Sequence, residues 1–201
     1  KAWCNMKYLN SRKCLIILAV VIGILITFIT SHNSKSSTYS DIDIIRESIS
    51  EKIIRFHVLA NSDSDEDQAL KMKVKENVVN YTRTLLSDSE SVDETKVLLS
   101  EHNEEILDIA RNTIKSEGYN YTVTASLENV YFPTKSYGDI TLPCGDYEAY
   151  RILIGEAEGK NWWCVLYPPL CFVDASHGVL PADSKELLKN MLDEDEYSAI
   201  T

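Results

Sequence analysis

The apolar positions of the chain change their spacing several times, and the first change lies near the N-terminus. The segment CLIILAVVIGILITFIT, residues 14–30, carries no charge, and Lys7, Arg12 and Lys13 precede it. Basic flanks stay cytoplasmic, so the chain beyond this segment is predicted to be exported. Its length lies between a signal-peptide core of about 7–15 residues and a membrane-spanning helix of about 20. We therefore predict a signal or transmembrane segment over residues 1–30, with membrane contact through residues 14–30.

A polar, serine-rich stretch over residues 31–45 indicates a tether between this segment and a folded domain. It lacks an A-x-A-like cleavage site, which favours an uncleaved anchor over a cleaved signal peptide. Beyond the tether, Ile54, Phe56 and Val58 alternate with Arg55 and His57. This period of two predicts a strand that turns Arg55 and His57 toward its polar side.

The spacing then becomes helical over two long stretches. The first predicts a helix from about residue 65 to 86, with Asp63 or Ser64 as its N-cap. The second predicts a helix from about residue 93 to 117, which ends at Gly118.

Alternation returns in the second half of the chain. It predicts strands in YNYTVTASLENVYFP, EAYRILIGEA and NWWCVLYPPLCFVD, then a short helix in SKELLKNML and a mobile acidic end. Consecutive strands pair most easily as antiparallel hairpins. The predicted fold class over residues 46–201 is therefore α+β, with two long helices packed on one face of a mostly antiparallel sheet.

The charge balance limits the partners that this domain can bind. The chain carries 20 basic and 31 acidic residues, and five of the basic residues lie within residues 1–35, which contain no acid. The exported part is therefore strongly acidic and is repelled by nucleic-acid phosphates and anionic lipid headgroups. We predict that it does not bind nucleic acid.

The acidic cluster after the first strand resembles a calcium loop only at its start. Asp63, Asp65 and Asp67 match the first ligand positions, but Gln68 replaces the glycine and Val74 replaces the final glutamate. The pattern favours a helix N-cap with an acidic first turn, and it predicts no metal and no cofactor.

The search for catalytic residues finds scattered candidates. His57, Asp174, His177 and Cys144 are residue types that a hydrolase or metal enzyme uses, but no metalloprotease, nucleophile-elbow or phosphate-loop motif accompanies them. Because no constellation converges, we predict that the protein is not an enzyme.

The stretch NWWCVLYPPLCFVD gathers the stiffest residues of the chain. Pro168 and Pro169 cannot donate ladder hydrogen bonds, so the strand must stop or bend there. The bend would bring Cys164 and Cys171 together, either as a disulfide that stabilises the fold by about 2–3 kcal/mol or as two reduced, buried thiols. An exposed tryptophan beside a rigid turn is typical of a protein interface. The candidate interface comprises Trp162, Trp163, Pro168 and Pro169, with Lys135 and Tyr137 from the preceding loop.

Two long stretches carry a family resemblance. IRFHVLANSDSDEDQALKMKVKENV and YFPTKSYGDITLPCGDYEAYRILIGEAEGKNWWCVLYPPLCFVD, with the N-terminal apolar segment, resemble the stage II sporulation protein R family of endospore-forming Firmicutes. The resemblance covers roughly residues 53–174. The family segments include Asn61, Ser62, Asp63, Asp67, Gln68, Lys71, Pro133, Gly138, Pro143, Gly145, Tyr147 and Asn161.

The resemblance implies a signalling role without catalysis. Members of this family are made in the forespore and exported into the space between the forespore and mother-cell membranes, where they are anchored or released. There they trigger a membrane-embedded aspartic protease, the sigma-E processing peptidase, which removes the pro-sequence of pro-sigma-E. Two other hypotheses are an exported hydrolase that uses His57, His177, Asp174 or Cys144, and a peptidoglycan-binding module whose tryptophans stack on sugar rings.

Overall fold

The structure is a computed structural model that describes residues 16–28, 43–171, 180 and 182–201. The chain divides into two units, Lys1–Ile44 and Ile45–Thr201. In the first unit, residues 16–28 form a helix whose side chains are exposed. Across the described ranges we find no helix with the length and apolar character that a membrane span requires. Both ends of the predicted span 14–30, and most of the predicted tether, lie outside the described residues.

The second unit is built on a four-stranded sheet, in agreement with the predicted α+β class. The strand β1 (Ile54–Leu59) lies between β5 (Gly145–Ile154) and β6 (Asn161–Tyr167), and β2 (Val123–Phe132) pairs with the outer side of β5. β1 runs parallel to β5 and antiparallel to β6, while β2 and β5 are antiparallel. The sheet is therefore mixed.

The expected hairpin between β5 and β6 is not formed, because β1 separates these two strands. Their connection, residues 155–160, passes over the end of β1. There Glu158 N–H donates to the Asn61 carbonyl at 3.2 Å, and Gly159 N–H donates to the Ala60 carbonyl at 3.0 Å. The central position of β1 follows from its composition, since a strand covered on both faces buries the most apolar surface there.

The predicted solvent side of β1 is wrong. Arg55 and His57 are 0% and 3% exposed, as buried as the apolar residues with which they alternate. The alternation is real, but it separates two covered layers of the protein.

The first layer consists of three helices, where the sequence predicts two. The helix α2 (Asp65–Leu85) agrees closely with its predicted bounds, and the Ser64 hydroxyl caps it by accepting from Asp67 N–H at 3.2 Å. The predicted second helix is broken at His102 into α3 (Val92–Glu101) and α4 (Asn103–Ser116). The break is invisible in the pattern because the seven-residue step from Leu99 to Ile106 also suits a continuous helix.

A second layer covers part of the opposite face, so the expectation of helices on one face only is corrected. It contains α1 (residues 43–52), a hairpin of β3 (Lys135–Tyr137) and β4 (Ile140–Leu142), α5 (Ala182–Met191) and α6 (Glu194–Ile200). Its apolar side chains form one buried cluster with residues of β2, β5 and β6 that face this side of the sheet. The cluster includes Ile49, Ile53, Phe132, Ile140, Leu142, Tyr147, Ala149, Val165, Leu170, Leu188, Leu192 and Ile200.

The acidic end, expected to be mobile, folds as α6. Glu196 is 4% exposed. Its carboxylate accepts from Lys52 Nζ at 2.6 Å and from the Ser48 hydroxyl at 2.5 Å, both on α1. Pairing with a cation and a hydroxyl offsets the desolvation of this carboxylate, which composition alone cannot predict.

The crossing of the β5–β6 connection over β1 leaves no room for a side chain at Gly159. A Cβ there would lie 2.2 Å from the Ser62 carbonyl oxygen and 2.9 Å from the Ala60 Cβ. We expect Gly159→Ala to lower the free energy of unfolding, measured in urea, by about 1–3 kcal/mol.

The control is Gly118→Asn at the end of α4. Gly118 has a φ of +86° and open space around it, and asparagine tolerates this left-handed conformation. We expect a change below about 1 kcal/mol. Equal losses in the two variants would contradict the close crossing.

Candidate functional site

The segment after β1 is a structural clamp. The Asp67 carboxylate is buried and accepts from Asn61 Nδ2 at 2.8 Å and from the Ser62 hydroxyl at 2.5 Å. Burial alone would raise the pKa of Asp67, but these hydrogen bonds outweigh it and hold the pKa below its usual value. Asp67 is therefore an ionised acceptor that fixes the entry to α2, which explains why the calcium pattern is incomplete.

The same segment holds the β5–β6 connection. Asn61 Oδ1 accepts from Glu156 N–H at 3.0 Å, and Asp63 Oδ1 accepts from Lys160 N–H at 2.6 Å. Lys71 Nζ donates to the Lys160 carbonyl at 2.9 Å and to Gln68 Oε1 at 2.6 Å. These side chains position the β5–β6 connection against the end of β1 and the start of α2. Asn61, Asp63, Asp67, Gln68 and Lys71, the family residues of this segment, therefore hold the fold together at this point.

The two tryptophans of β6 face opposite layers. Trp162 lies on the helix side, with its ring 6.0 Å from Phe56 edge to face and Lys75 Nζ 5.0 Å above it. Trp163 lies on the other side, stacked on His57 at 3.9 Å and packed against Phe132 at 4.6 Å. Both rings are half-buried although β6 is an edge strand.

Trp163 borders a part of the sheet that stays open to solvent. Across the strands, Ser126, Arg151, His57 and Trp163 form one row on this side. Glu128 extends it, and its carboxylate accepts from Arg151 Nη1 at 2.9 Å. Ser126 and Glu128 are exposed, and Arg151 and Trp163 are partly exposed. We call these four residues the open face.

His57 supports the open face from below. Its Nε2 is 2.7 Å from Asn161 Oδ1, which can only accept, so the proton lies on Nε2, and its Nδ1 has no hydrogen-bond partner. Burial lowers the pKa of His57 to about 4, so the ring is neutral at physiological pH. Stacked under Trp163, it serves as a rigid platform.

The other candidates for catalysis do not join His57. Cys144 is exposed and interacts with Tyr131 and Thr134, whose hydrogen bonds lower the pKa of its thiol. Asp174 and His177 lie outside the described residues. Within the described part of the chain, no group of three or more His, Cys, Asp or Glu side chains could hold a metal ion.

Arg55 is the feature that sequence reasoning missed. Its guanidinium lies among three aromatic rings, which we call the Arg55 cage, with centroids 4.2 Å away for Phe132, 4.9 Å for Tyr147 and 5.8 Å for Tyr137. Nε donates to the Cys164 carbonyl at 3.2 Å, and Nη2 donates to the Tyr137 hydroxyl at 3.1 Å. The sequence offers one signal for this burial, which is that Arg55 lies among apolar residues in IIRFHVL. The alternation of the strand nevertheless predicts an exposed arginine.

The family residues between Pro133 and Tyr147 lie in the Arg55 cage or next to it. Gly138, with a φ of +64°, forms the turn of the β3–β4 hairpin that carries Tyr137. The Tyr147 hydroxyl donates to the Pro143 carbonyl at 2.7 Å, which orients the ring beneath Arg55. Gly145 leaves space for the Arg46 side chain, and Pro133 follows the caged ring of Phe132. Lys135 lies on β3, half-buried.

The corner after β6 joins the two cysteines. Cys164 and Cys171 form a disulfide with their Cα atoms 5.3 Å apart, inside the usual range. Leu170 N–H and Cys171 N–H both donate to the Val165 carbonyl at 3.2 Å, which closes the bend around Pro168 and Pro169. Pro169 also lines a groove of about 330 Å³ between α2, β6 and α5.

Comparison with known proteins identifies relatives of this fold. A family model described as stage II sporulation protein R matches residues 50–177. A stage II sporulation protein R of Bacillus subtilis (strain 168) is 41% identical over 143 residues, which cover 70% of this chain and 64% of the relative. The chain therefore spans less than two thirds of that relative's length. No solved structure matches.

The buried His57 makes the stability of the fold depend on pH. In the unfolded chain His57 becomes protonated below its ordinary pKa of about 6.5, whereas in the folded protein the ring stays neutral until about pH 4. The stability that the fold gains from a neutral His57 is therefore fully present above pH 6.5. We expect the free energy of unfolding to fall by up to about 3 kcal/mol as the pH is lowered from 6.5 to 4.

His57→Gln tests this dependence, because glutamine cannot titrate. Chemical unfolding from pH 4 to 8 should show a constant difference between variant and wild type above pH 7. The difference should shrink or reverse toward pH 4. Parallel curves over the whole range would contradict the neutral, buried state of His57.

Proposed function

This chain belongs to the stage II sporulation protein R family, and from that premise we propose that it is an exported sporulation signal that activates a protease by direct contact. Its partner is a membrane-embedded aspartic protease that processes pro-sigma-E in the mother cell. Its place of action is the space between the forespore and mother-cell membranes. The chain itself carries out no catalytic step.

The single observation that supports direct contact with the protease is the position of the Trp163 side chain. Its ring is half-exposed on the open face and fixed from behind by His57 at 3.9 Å and Phe132 at 4.6 Å. A large side chain that is already immobilised loses little conformational entropy when a partner covers it. Trp163 therefore has the properties of an interface anchor before any partner binds.

The charge of the domain is compatible with this place of action. The part beyond residue 35 has 31 acidic residues against 15 basic ones, so anionic membrane surfaces repel it. Such a domain can reach a partner in a narrow gap between two membranes without adsorbing to either.

The structure does not favour the hydrolase hypothesis. His57 is held under Trp163 and bonded to Asn161, and Cys144 is engaged by Tyr131 and Thr134. A peptidoglycan-binding module would also use Trp163, but His57 already covers one face of its ring. A pull-down on peptidoglycan separates that alternative from a protein partner.

Trp163→Ala is expected to weaken partner binding by about 2 kcal/mol or more, roughly 30-fold in affinity, and so to reduce pro-sigma-E processing. Processing in sporulating cells is the measurement. Thermal unfolding of the purified variant checks that the domain still folds.

Trp162→Ala is the matched control. It removes the same residue type from the neighbouring position of β6, with similar exposure, but from the helix side of the sheet. It should leave processing near the wild-type level. The contact role of the open face is wrong if the two folded variants behave alike.

A further inference from the structure

The Arg55 guanidinium is a buried cation that forms no ion pair with any described residue. The residue is 0% exposed, and among the described residues its Nη1 has no hydrogen-bond partner. None of the ion pairs among the described residues brings a carboxylate to it. Burial lowers the pKa of Arg55 from its usual value, which reflects the cost of keeping this charge away from water.

The Arg55 cage compensates only part of this cost. The rings of Phe132, Tyr137 and Tyr147 attract the cation through their faces but offer no acceptor to Nη1. An apolar side chain of similar volume would fill the same space without an unpaired charge. Natural folds tolerate such a violation mainly where function requires it.

The unused N–H donors of Arg55 are suited to one class of ligand, a carboxylate. A guanidinium presents parallel N–H donors that match the two oxygens of a carboxylate. Here Nη2 is occupied by the single neutral oxygen of Tyr137, and Nη1 is empty. Displacing the Tyr137 hydroxyl would make both terminal nitrogens available to one carboxylate.

Tyr137 is the most accessible of the three aromatic residues in the Arg55 cage. It lies half-buried on β3, between the exposed residues Ser136 and Gly138, whereas Phe132 and Tyr147 are fully buried. Movement of the Tyr137 side chain is therefore the route by which a ligand would reach the guanidinium. The site adjoins the open face, because the Phe132 ring contacts both Arg55 at 4.2 Å and Trp163 at 4.6 Å. One partner can therefore cover Trp163 and reach Arg55.

We propose that Arg55 is the receptor for a carboxylate, an aspartate or glutamate side chain of the protein that binds the open face, which replaces the Tyr137 hydroxyl. This inference rests on the proposed function and names the chemical group that the partner must supply. The pair forms by exchange of hydrogen bonds, without any covalent step.

Arg55→Met separates a binding role from a structural one. Methionine fills much of the same volume and removes the unpaired charge. We expect a purified full-length variant with an unfolding temperature equal to or above that of wild type, yet at least a tenfold loss of pro-sigma-E processing. Normal processing, or a loss explained by a clearly lower unfolding temperature, would overturn the proposal.

Tyr137→Phe supplies a second, independent test, because it removes only the competing hydroxyl and keeps the ring of the cage. Processing should exceed the wild-type level, because the carboxylate no longer has to displace the hydroxyl. The unfolding temperature should rise in sodium acetate relative to sodium chloride at equal ionic strength. The double variant with Arg55→Met should lose this acetate effect.

The outcomes also distinguish the sources of the carboxylate. If acetate stabilises Tyr137→Phe but Arg55→Met signals normally, the site takes free carboxylates only and the partner role is wrong. If the wild-type chain fails to restore processing to a deletion strain, the proposed function itself is wrong. If Trp163→Ala is defective while folded Arg55→Met is normal, only the present inference fails.

Discussion

The central position of β1 is the constraint on which the rest of the structure depends. β1 pairs with β5 and β6 along its two edges, and its side chains are buried on both faces, so that two layers pack on a single sheet. The connection between β5 and β6 must then cross over the end of β1, where Asn61, Asp63 and Lys71 bind it. The long polar motif after β1 thus has a topological reason for its composition.

The two faces of the sheet have different chemistry. On the helix side the buried residues of the sheet are apolar or aromatic, whereas the opposite side carries Arg55 and His57 within a set of aromatic rings. Each of these two polar side chains retains one buried nitrogen without a hydrogen-bond partner. A fold optimised for stability alone would not keep two such atoms on adjacent inward positions of one strand. For this reason we place the proposed contact on the side of the sheet that carries Arg55 and His57.

Local pattern predicts the longer elements well, the short ones poorly and their arrangement least of all. The Ser64 cap and the period of α2 are encoded in neighbouring residues, so its bounds follow closely. The parallel pairing of β1 with β5 joins segments about ninety residues apart, and no local spacing records it. Arg55 was missed for the same reason, since its cage is contributed by Phe132, Tyr137 and Tyr147 from distant strands. Of the predicted interface, Trp163 packs against Phe132 and Tyr137 encloses Arg55 together with Phe132, while Trp162 lies on the other side of the sheet.

The contact between α6 and α1 has a consequence for the order in which the chain can fold. Lys52 and Ser48 near the start of the domain bind Glu196 near its end, and Ile49, Ile53 and Ile200 share one apolar cluster. A chain delivered from its N-terminus leaves Ile49 and Ile53 without this cover until the residues of α6 have emerged. The second layer can therefore close only after α6 is available, well after the sheet and the first layer have been delivered.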